Sequence, residues 1–588
     1  MSAEGLLRRQ YARIAVLAPL LGMLFAAPVL SLGLHVLDDV PQRGRVQAQI
    51  EGRGGDTAWY DHYTFVDPRH AASERADGVR PWWSALDTSV RFFRPLTVAT
   101  FYFEQGYLQA TPRMMHLWSL LLYGLLCAIV VQVYRRFERG HAAVVLAALF
   151  YVLDDAHVEP VAWLAHRGSL LSACFGFGAL LLHDRGCRDG GTRAARWAVV
   201  CFALAVLSAE GGLTALIYLG AHALLLDERG PVRRLLGLLP YAAVAGLWAL
   251  LYVQLDFGAR GSGAYVQPLT DLSTWMSLAP LRLVWLVGGQ VSAPWIWLED
   301  VGWGATYAWH DAIALGVGLP VFAYGLWRLR GDRQLAFWLC GGLLSLLPVL
   351  SAPSHERLLV FAGVGLWMFM ARAAVDLLGA RTRWPSAGRA LATAVLVVMG
   401  VQHLLVAPAA LAVGTSRFGA LREPGDYLSM LNGTTHGAGS HVIVVNAPSA
   451  WHWSLFEYAR QHGPTHLAPA RVTALGVTGE PVSIRVLDRH TIELECTDGL
   501  FRDALSSLWR GPQRPFRPGD TVAVSGFDAH VLSVTDDGYP VAVRFAFERP
   551  LDHPAMAPVY WSAEGLRALD PSPAGDPVRV GSLQVPAP

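Results

Sequence analysis

The sequence predicts a polytopic α-helical membrane protein, with about eleven transmembrane helices, that ends in a small β-rich domain. Three observations predict it. Of 588 residues, 53% are hydrophobic and only 16% charged, and the mean hydropathy is +0.34, too apolar for a soluble globular chain. Apolar stretches of roughly bilayer-spanning length recur as far as about residue 413. Beyond that point the texture changes to short alternating runs broken by Asp, Gly and Pro. The expected organisation is a membrane domain over 1–413, a linker over 414–439 and a soluble domain over 440–588.

The expected spans are roughly 12–37, 115–134, 141–154, 163–182, 195–208, 212–226, 235–254, 308–327, 334–351, 358–378 and 388–412. The first follows Arg8-Arg9 and is too long for a signal peptide, so it reads as a retained anchor. Segment 272–300 is apolar but interrupted by Pro280, Gly288-Gly289 and Pro294, which predicts a re-entrant or interfacial element. No lysine occurs, and arginine supplies all the fixed basic charge, a usage that fits a GC-rich bacterial genome. Arg135/Arg136/Arg139, Arg185/Arg188, Arg229/Arg233/Arg234, Arg328/Arg330/Arg333 and Arg381/Arg383 all fall on one side of the weave. That side is expected to be cytoplasmic. The N-terminus is then inside, the C-terminal domain is periplasmic, and the location is a bacterial inner membrane.

In the C-terminal part, His441–Asn446 reads as a buried strand and Trp451–Gln461 as a short helix. Val482–Asp488, Thr491–Cys496, Thr521–Ser525, Val531–Thr535 and Val541–Phe547 read as strands, with Asp537-Gly538 as a hairpin turn. The net charge of +1 gives no nucleic-acid footprint. The six cysteines show no CxxC and no metal-ligand spacing; Asp154-Asp155 offers a carboxylate pair for a divalent cation, but without a His/Cys set at ligand spacing no metal site is expected. There is no Walker loop, dinucleotide fingerprint, HExxH or GxSxG.

Chemistry-bearing residues crowd on the outer side. The first outer loop holds Asp38-Asp39, Trp82-Trp83 and Arg94-Pro95. The next holds Asp154-Asp155, His157 and Glu159, followed by Arg167. Later loops hold Glu210 and His355-Glu356-Arg357. Ionisable residues at membrane depth mark functional sites by default. A lipid-phosphate sugar donor needs this combination. Arginine neutralises a phosphate leaving group with bidentate geometry, and a carboxylate takes the proton from an attacking hydroxyl. The bland alternatives are a solvated helix cap for Asp38-Asp39, an internal polar network for His157, Glu159 and Arg167, and interfacial anchoring for Trp82-Trp83.

These residues also carry a resemblance. His157-Val158-Glu159-Pro160-Val161-Ala162-Trp163, followed by Arg167 and Leu170-Leu171-Ser172, resembles a signature segment of GT-C membrane glycosyltransferases. The pattern is most similar to the transmembrane-and-TPR O-mannosyltransferases and their bacterial relatives. In the same order as in that family stand Asp38-Asp39, the run Arg94-Pro95-Leu96-Thr97 with Phe101, Pro112 and His116, then Ser208 with Glu210 and Thr214, and Glu356-Arg357-Leu358-Leu359 with Gly365. The chain departs from the pattern at Asp154-Asp155, Ser169 and Ala209, and no TPR array follows.

The resemblance implies a polyprenyl-phosphate-linked sugar donor as co-substrate and an extracytoplasmic site. It implies Asp38 or Asp39 as catalytic base, Arg94, Arg167 and Arg357 at the donor phosphate, and His157, Glu159, Glu210 and Glu356 in support. Neither the sugar nor the acceptor follows from it, and the C-terminal domain is expected to contact the acceptor or a partner. The alternative readings are a lipid-linked glycan transporter or flippase, and a non-catalytic cell-envelope scaffold.

Overall fold

The computed structural model describes residues 3–34, 38–55, 57–268, 270–291, 314–328, 331–418, 428–431, 439–462, 464, 466–503, 505–572 and 576–583. Among these, seven helices are long and apolar enough to cross a membrane: Arg13–Ser31, Pro112–Phe137, Leu164–Asp189, Pro231–Gln254, Arg333–Ser351, Ala362–Arg383 and Ser386–Arg417. An eighth span is formed if His141–Val152 and Asp155–Ala162, which meet at 43°, are counted together. Fewer spans than the expected eleven qualify because several apolar runs are short. Thr192–Ser208 has 17 residues, so it reaches only about 25 Å of the roughly 30 Å hydrocarbon core. Glu210–Leu226 is similarly short. The expected span 308–327 begins outside the described residues. The segment expected to be broken from 272 is one helix, Leu272–Val291, which carries Pro280 inside it. Its continuation over 292–300 lies outside the described residues.

Polar ties close one end of the bundle. Arg136, Arg188 and His222 converge on Asp184, and Arg372 bridges Glu138 (2.9 Å) and Asp332 (2.8 Å). Arg136, Glu138 and Asp184 stand near the C-terminal ends of Pro112–Phe137 and Gly168–Asp189. In the interior, Tyr134, Tyr151 and Tyr218 donate to the carbonyls of Val364, Val360 and Phe361, so three helices grip the start of Ala362–Ala380. There the backbone passes directly against Arg333–Leu344. A Cβ on Gly365 would stand 2.4 Å from Gly342 N and Trp338 O, which only glycine permits.

Among the described residues the strands form three sheets. Strands β1 (Thr64–Val66), β2 (Ser89–Arg91) and β3 (Gly258–Arg260) form a small sheet from two distant loops. The C-terminal domain has β4 (His441–Ala447), β5 (Arg471–Val477), β6 (Val482–Asp488), β7 (Thr491–Glu495), β8 (Thr521–Val524), β9 (Phe527–Val534), β10 (Pro540–Phe547), β11 (Met556–Ser562), β12 (Gly565–Ala568) and β13 (Val578–Val580). An antiparallel sheet runs β13-β6-β7-β10-β9-β8. A mixed sheet runs β12-β11-β4-β5, with β4 parallel to both β5 and β11. The helix Ala450–His462 connects β4 to β5, as parallel pairing requires. Asp537-Gly538 turns β9 into β10, with Gly538 at φ +82°.

Trp82 and Trp83 are not interfacial anchors. Both are buried in the core of the C-terminal domain. Trp82 Nε1–H donates to Leu475 O (2.9 Å), and Trp83 stacks on Phe501 with ring centroids 4.2 Å apart. Two large apolar rings gain more from this dry core than from a membrane surface. Leu428 and Leu431, within the segment expected to be a linker, enter the same core.

Candidate functional site

Asp38 and Asp39 start the helix Asp39–Ile50, where carboxylates favour the positive helix end, yet they do different things. Asp39 is buried, and its Oδ1 accepts the Ala165 N–H at 2.8 Å. Ala165 O in turn accepts the Tyr63 hydroxyl at 2.8 Å. Asp39 therefore ties the start of Asp39–Ile50 to the turn Leu164–His166. Asp38 occupies the N-cap position but makes no capping bond. It is half-buried, and among the described residues its carboxylate accepts no hydrogen bond. Burial pushes the Asp38 carboxyl up to about 6, against the opposing pull of Arg357, Arg45 and Arg94. None of these three guanidiniums, among the described residues, forms a salt bridge with it.

Each arginine around Asp38 is held by its own partner. Arg94 precedes Pro95, and its Nε donates to Glu210 Oε2 (2.8 Å), while Glu210 Oε1 accepts the Phe93 N–H (2.9 Å). Its guanidinium lies 4.8 Å from the ring centroids of both Tyr63 and Phe92. Burial works against the Arg94 cation, and Glu210 overcomes it, leaving the group above its ordinary value. Arg357 donates from Nη1 to Glu159 Oε2 (3.2 Å) and covers Trp163 at 5.0 Å. His355 Nδ1 stands 3.0 Å from the same Glu159 oxygen. The pull of Glu159 likewise outweighs burial and raises Arg357. Arg45 lies two helical turns beyond Asp38, on the same side of the helix, and its Nη1 donates to His62 O (2.7 Å). These loops thus assemble one carboxylate without a hydrogen-bond donor among the described residues and three cations within electrostatic reach of it.

Three further expected residues are buried. Arg167 is fully buried. Its Nε donates to Ser119 Oγ (3.0 Å), its Nη2 to Met115 O (2.8 Å) and its Nη1 to Glu104. With every nitrogen engaged by protein and no exposure, it joins helix starts beneath the site. His157 is also buried, between Tyr123 and Tyr151, with Nδ1 3.2 Å from Asp154 O. Glu356 is buried on the turn that carries Arg357. Asp154 belongs to the bundle interior, where Trp367 Nε1–H (2.6 Å) and Gln290 (2.9 Å) donate to its Oδ2. Among the described residues, no three His, Cys, Asp or Glu side chains group as metal ligands do.

Sequence reasoning missed Arg45, Tyr63 and Glu104. Arg45 was findable, since seven residues is two turns of the helix that Asp39 begins. Glu104, a lone acid among the aromatic residues of Phe101–Tyr107, was the only signal for the partner of Arg167.

A scan against protein-family models finds no match, and a search of curated proteins finds none. Among solved structures, the chain is similar to the oligosaccharyltransferase AglB from Archaeoglobus fulgidus in complex with an inhibitory peptide and a dolichol-phosphate. Identity is 12% and the TM-score 0.43, over 79% of this chain and 64% of that one. The same oligosaccharyltransferase with zinc and sulfate matches at 14% identity and TM-score 0.42, over 77% and 62%. ArnT from Cupriavidus metallidurans bound to undecaprenyl phosphate matches at 15% identity and TM-score 0.35, over 76% and 83%. The chain spans less than two thirds of the length of the oligosaccharyltransferase. At such identities the functional reading rests on the residues of this chain.

Proposed function

We propose that the protein is an integral-membrane glycosyltransferase that moves a sugar from a polyprenyl-phosphate donor to an acceptor hydroxyl on the extracytoplasmic face. The observation that carries this reading is Asp38, a half-buried carboxylate without a hydrogen-bond donor among the described residues, its carboxyl raised to about 6 by burial against the pull of Arg357, Arg45 and Arg94. A general base works best with a pKa near the operating pH, and a phosphate leaving group needs fixed cations that gain no proton and lose none.

In the proposed step the acceptor oxygen attacks the anomeric carbon and Asp38 takes its proton. The bond from that carbon to the phosphate oxygen breaks, and the electron pair stays on the polyprenyl phosphate. Arg94 and Arg357 meet the charge that develops there. Glu210 and Glu159 aim those guanidiniums from behind. One direct displacement inverts the anomeric centre. Asp39 and Arg167 are positioning residues: the first fixes the turn beside the base, the second the helix starts below it. The motif resemblance to GT-C enzymes supports the same donor class.

The test is to incubate purified protein with a panel of labelled polyprenyl-phosphate sugars and measure free polyprenyl phosphate. Cleavage of at least one donor, dependent on an added acceptor, is expected. Donor binding without cleavage across the whole panel would instead favour carriage of a lipid-linked glycan.

A further inference from the structure

The segment 258–266 joins three parts of the molecule. It begins as β3, paired with β2. Gly261 O then accepts the Gly511 N–H (2.8 Å), and Gly263 N–H donates to Ser507 O (2.8 Å). Both partners belong to the C-terminal domain. Val266 N–H donates to Ser351 O (2.9 Å), on the chain that leads to His355 and Arg357. Two glycines make the first clamp possible. A Cβ on Gly511 would lie 2.8 Å from both Gly263 N and Ser262 C, and one on Gly263 would lie 3.3 Å from Gly511 Cα. The strap's backbone therefore rests directly on the backbone of the C-terminal domain.

Tyr265 sits between these clamps. Its ring packs edge-on against Phe92, centroids 5.4 Å apart, and Phe92 is one of the two rings under the Arg94 guanidinium. It is half-buried, and its hydroxyl has no hydrogen-bond partner among the described residues. The phenol lies within electrostatic reach of both Arg94 and Arg357. A donor hydroxyl within electrostatic reach of two guanidiniums, with no acceptor among the described residues, suits an anionic oxygen supplied from outside.

We infer, on the reading of the site given above, that Tyr265 donates its hydroxyl to the lipid phosphate beside Arg94 and Arg357, and that the C-terminal domain sets its position through the strap. The domain is then a structural part of donor recognition as well as a surface for an acceptor.

The probe is undecaprenyl monophosphate titrated into detergent-purified full-length protein. Tyr265→Phe keeps the ring on Phe92 and removes only the hydroxyl, so affinity falls about tenfold with melting temperature unchanged. Gly511→Ala pushes the strap off its seat and weakens binding to a similar degree. The double variant is no weaker than the worse single one, because both act through one hydroxyl. Wild type that does not bind the lipid phosphate sinks the donor reading itself. Wild type that binds, with Tyr265→Phe equal to it, overturns the role of Tyr265 and leaves that reading standing. Additive losses in the double variant overturn the coupling to the C-terminal domain. Should Gly511→Ala fail to fold, Gly263→Ala is the milder lever, its Cβ meeting Ser507 Cβ at 3.1 Å.

Discussion

Asp38→Asn and Asp39→Ala, neighbours in sequence, are expected to change stability in opposite directions. Asp38 is charged at neutral pH although burial has raised its carboxyl from 3.8 to about 6. The folded state therefore holds its proton more tightly than the unfolded chain. The resulting penalty is absent below pH 3.8, grows as pH rises and is complete above about 6. Two pKa units correspond to about 3 kcal/mol, and partial exposure of the group brings the figure to about 1–3 kcal/mol. Asp38→Asn removes that penalty, so at pH 7.5 the variant melts at the same temperature as wild type or higher. Asp39→Ala instead deletes the acceptor of the buried Ala165 N–H, a charged hydrogen bond whose loss costs about 1.5–3 kcal/mol. It melts lower than wild type. Thermal melting in detergent at pH 5 and 7.5 measures both, and donor cleavage by the same samples separates the roles. Asp38→Asn is expected to lose a factor of about 100 or more in turnover while folded. Asp39→Ala loses activity in step with folded protein. A destabilised Asp38→Asn, or one with full turnover, refutes the assignment of the base.

Other perturbations follow from the same geometry. Donor cleavage rises with pH along a limb centred near 6, where Asp38 loses its proton; a rate flat from pH 5 to 8 contradicts this. Arg94→Gln and Arg357→Gln each weaken polyprenyl-phosphate binding by about tenfold or more while the protein stays folded, as titration reads directly. Arg167→Gln strands the buried Glu104 carboxylate and costs about 3–5 kcal/mol, so its defect appears in melting and yield. Trp82→Ala empties a large buried site in the C-terminal core and destabilises that domain by about 3–5 kcal/mol, seen as an early unfolding step. Gly342→Ala sets a methyl 2.7 Å from Leu366 N and costs about 1–3 kcal/mol through overpacking, with little effect on donor affinity.

The long helices were legible because twenty apolar residues leave few alternatives, and β6, β7 and β10 were legible because alternation and a turn signal are local. β5, β11, β12 and β13 were not foreseen. β11 carries Pro558, which argues against an inner strand, and it pairs parallel to β4 across more than a hundred residues. Parallel pairing leaves no turn to mark it. The destination of Trp82 was hidden for a similar reason, since its bond partner Leu475 is 393 positions away. In the site, sequence singled out Asp38, Asp39, Arg94 and Arg357 but could not tell the two acids apart. What distinguishes them is an amide at Ala165 that the fold brings to one carboxylate and not to the other. The partners of Arg167 were not legible, because a buried arginine satisfied by Ser119, Met115 and Glu104 looks the same in sequence as one that meets substrate.

The central claim is that the lipid phosphate sits where Arg94 and Arg357 face Asp38. A cryo-EM structure of the protein in nanodiscs loaded with undecaprenyl phosphate tests it most directly. The account predicts phosphate density within roughly 3 Å of both guanidiniums, on the outer-loop side of the bundle and with Asp38 beside it. Phosphate density at the opposite end, among Arg136, Arg188 and Arg372, with the Asp38 cluster empty, would contradict it.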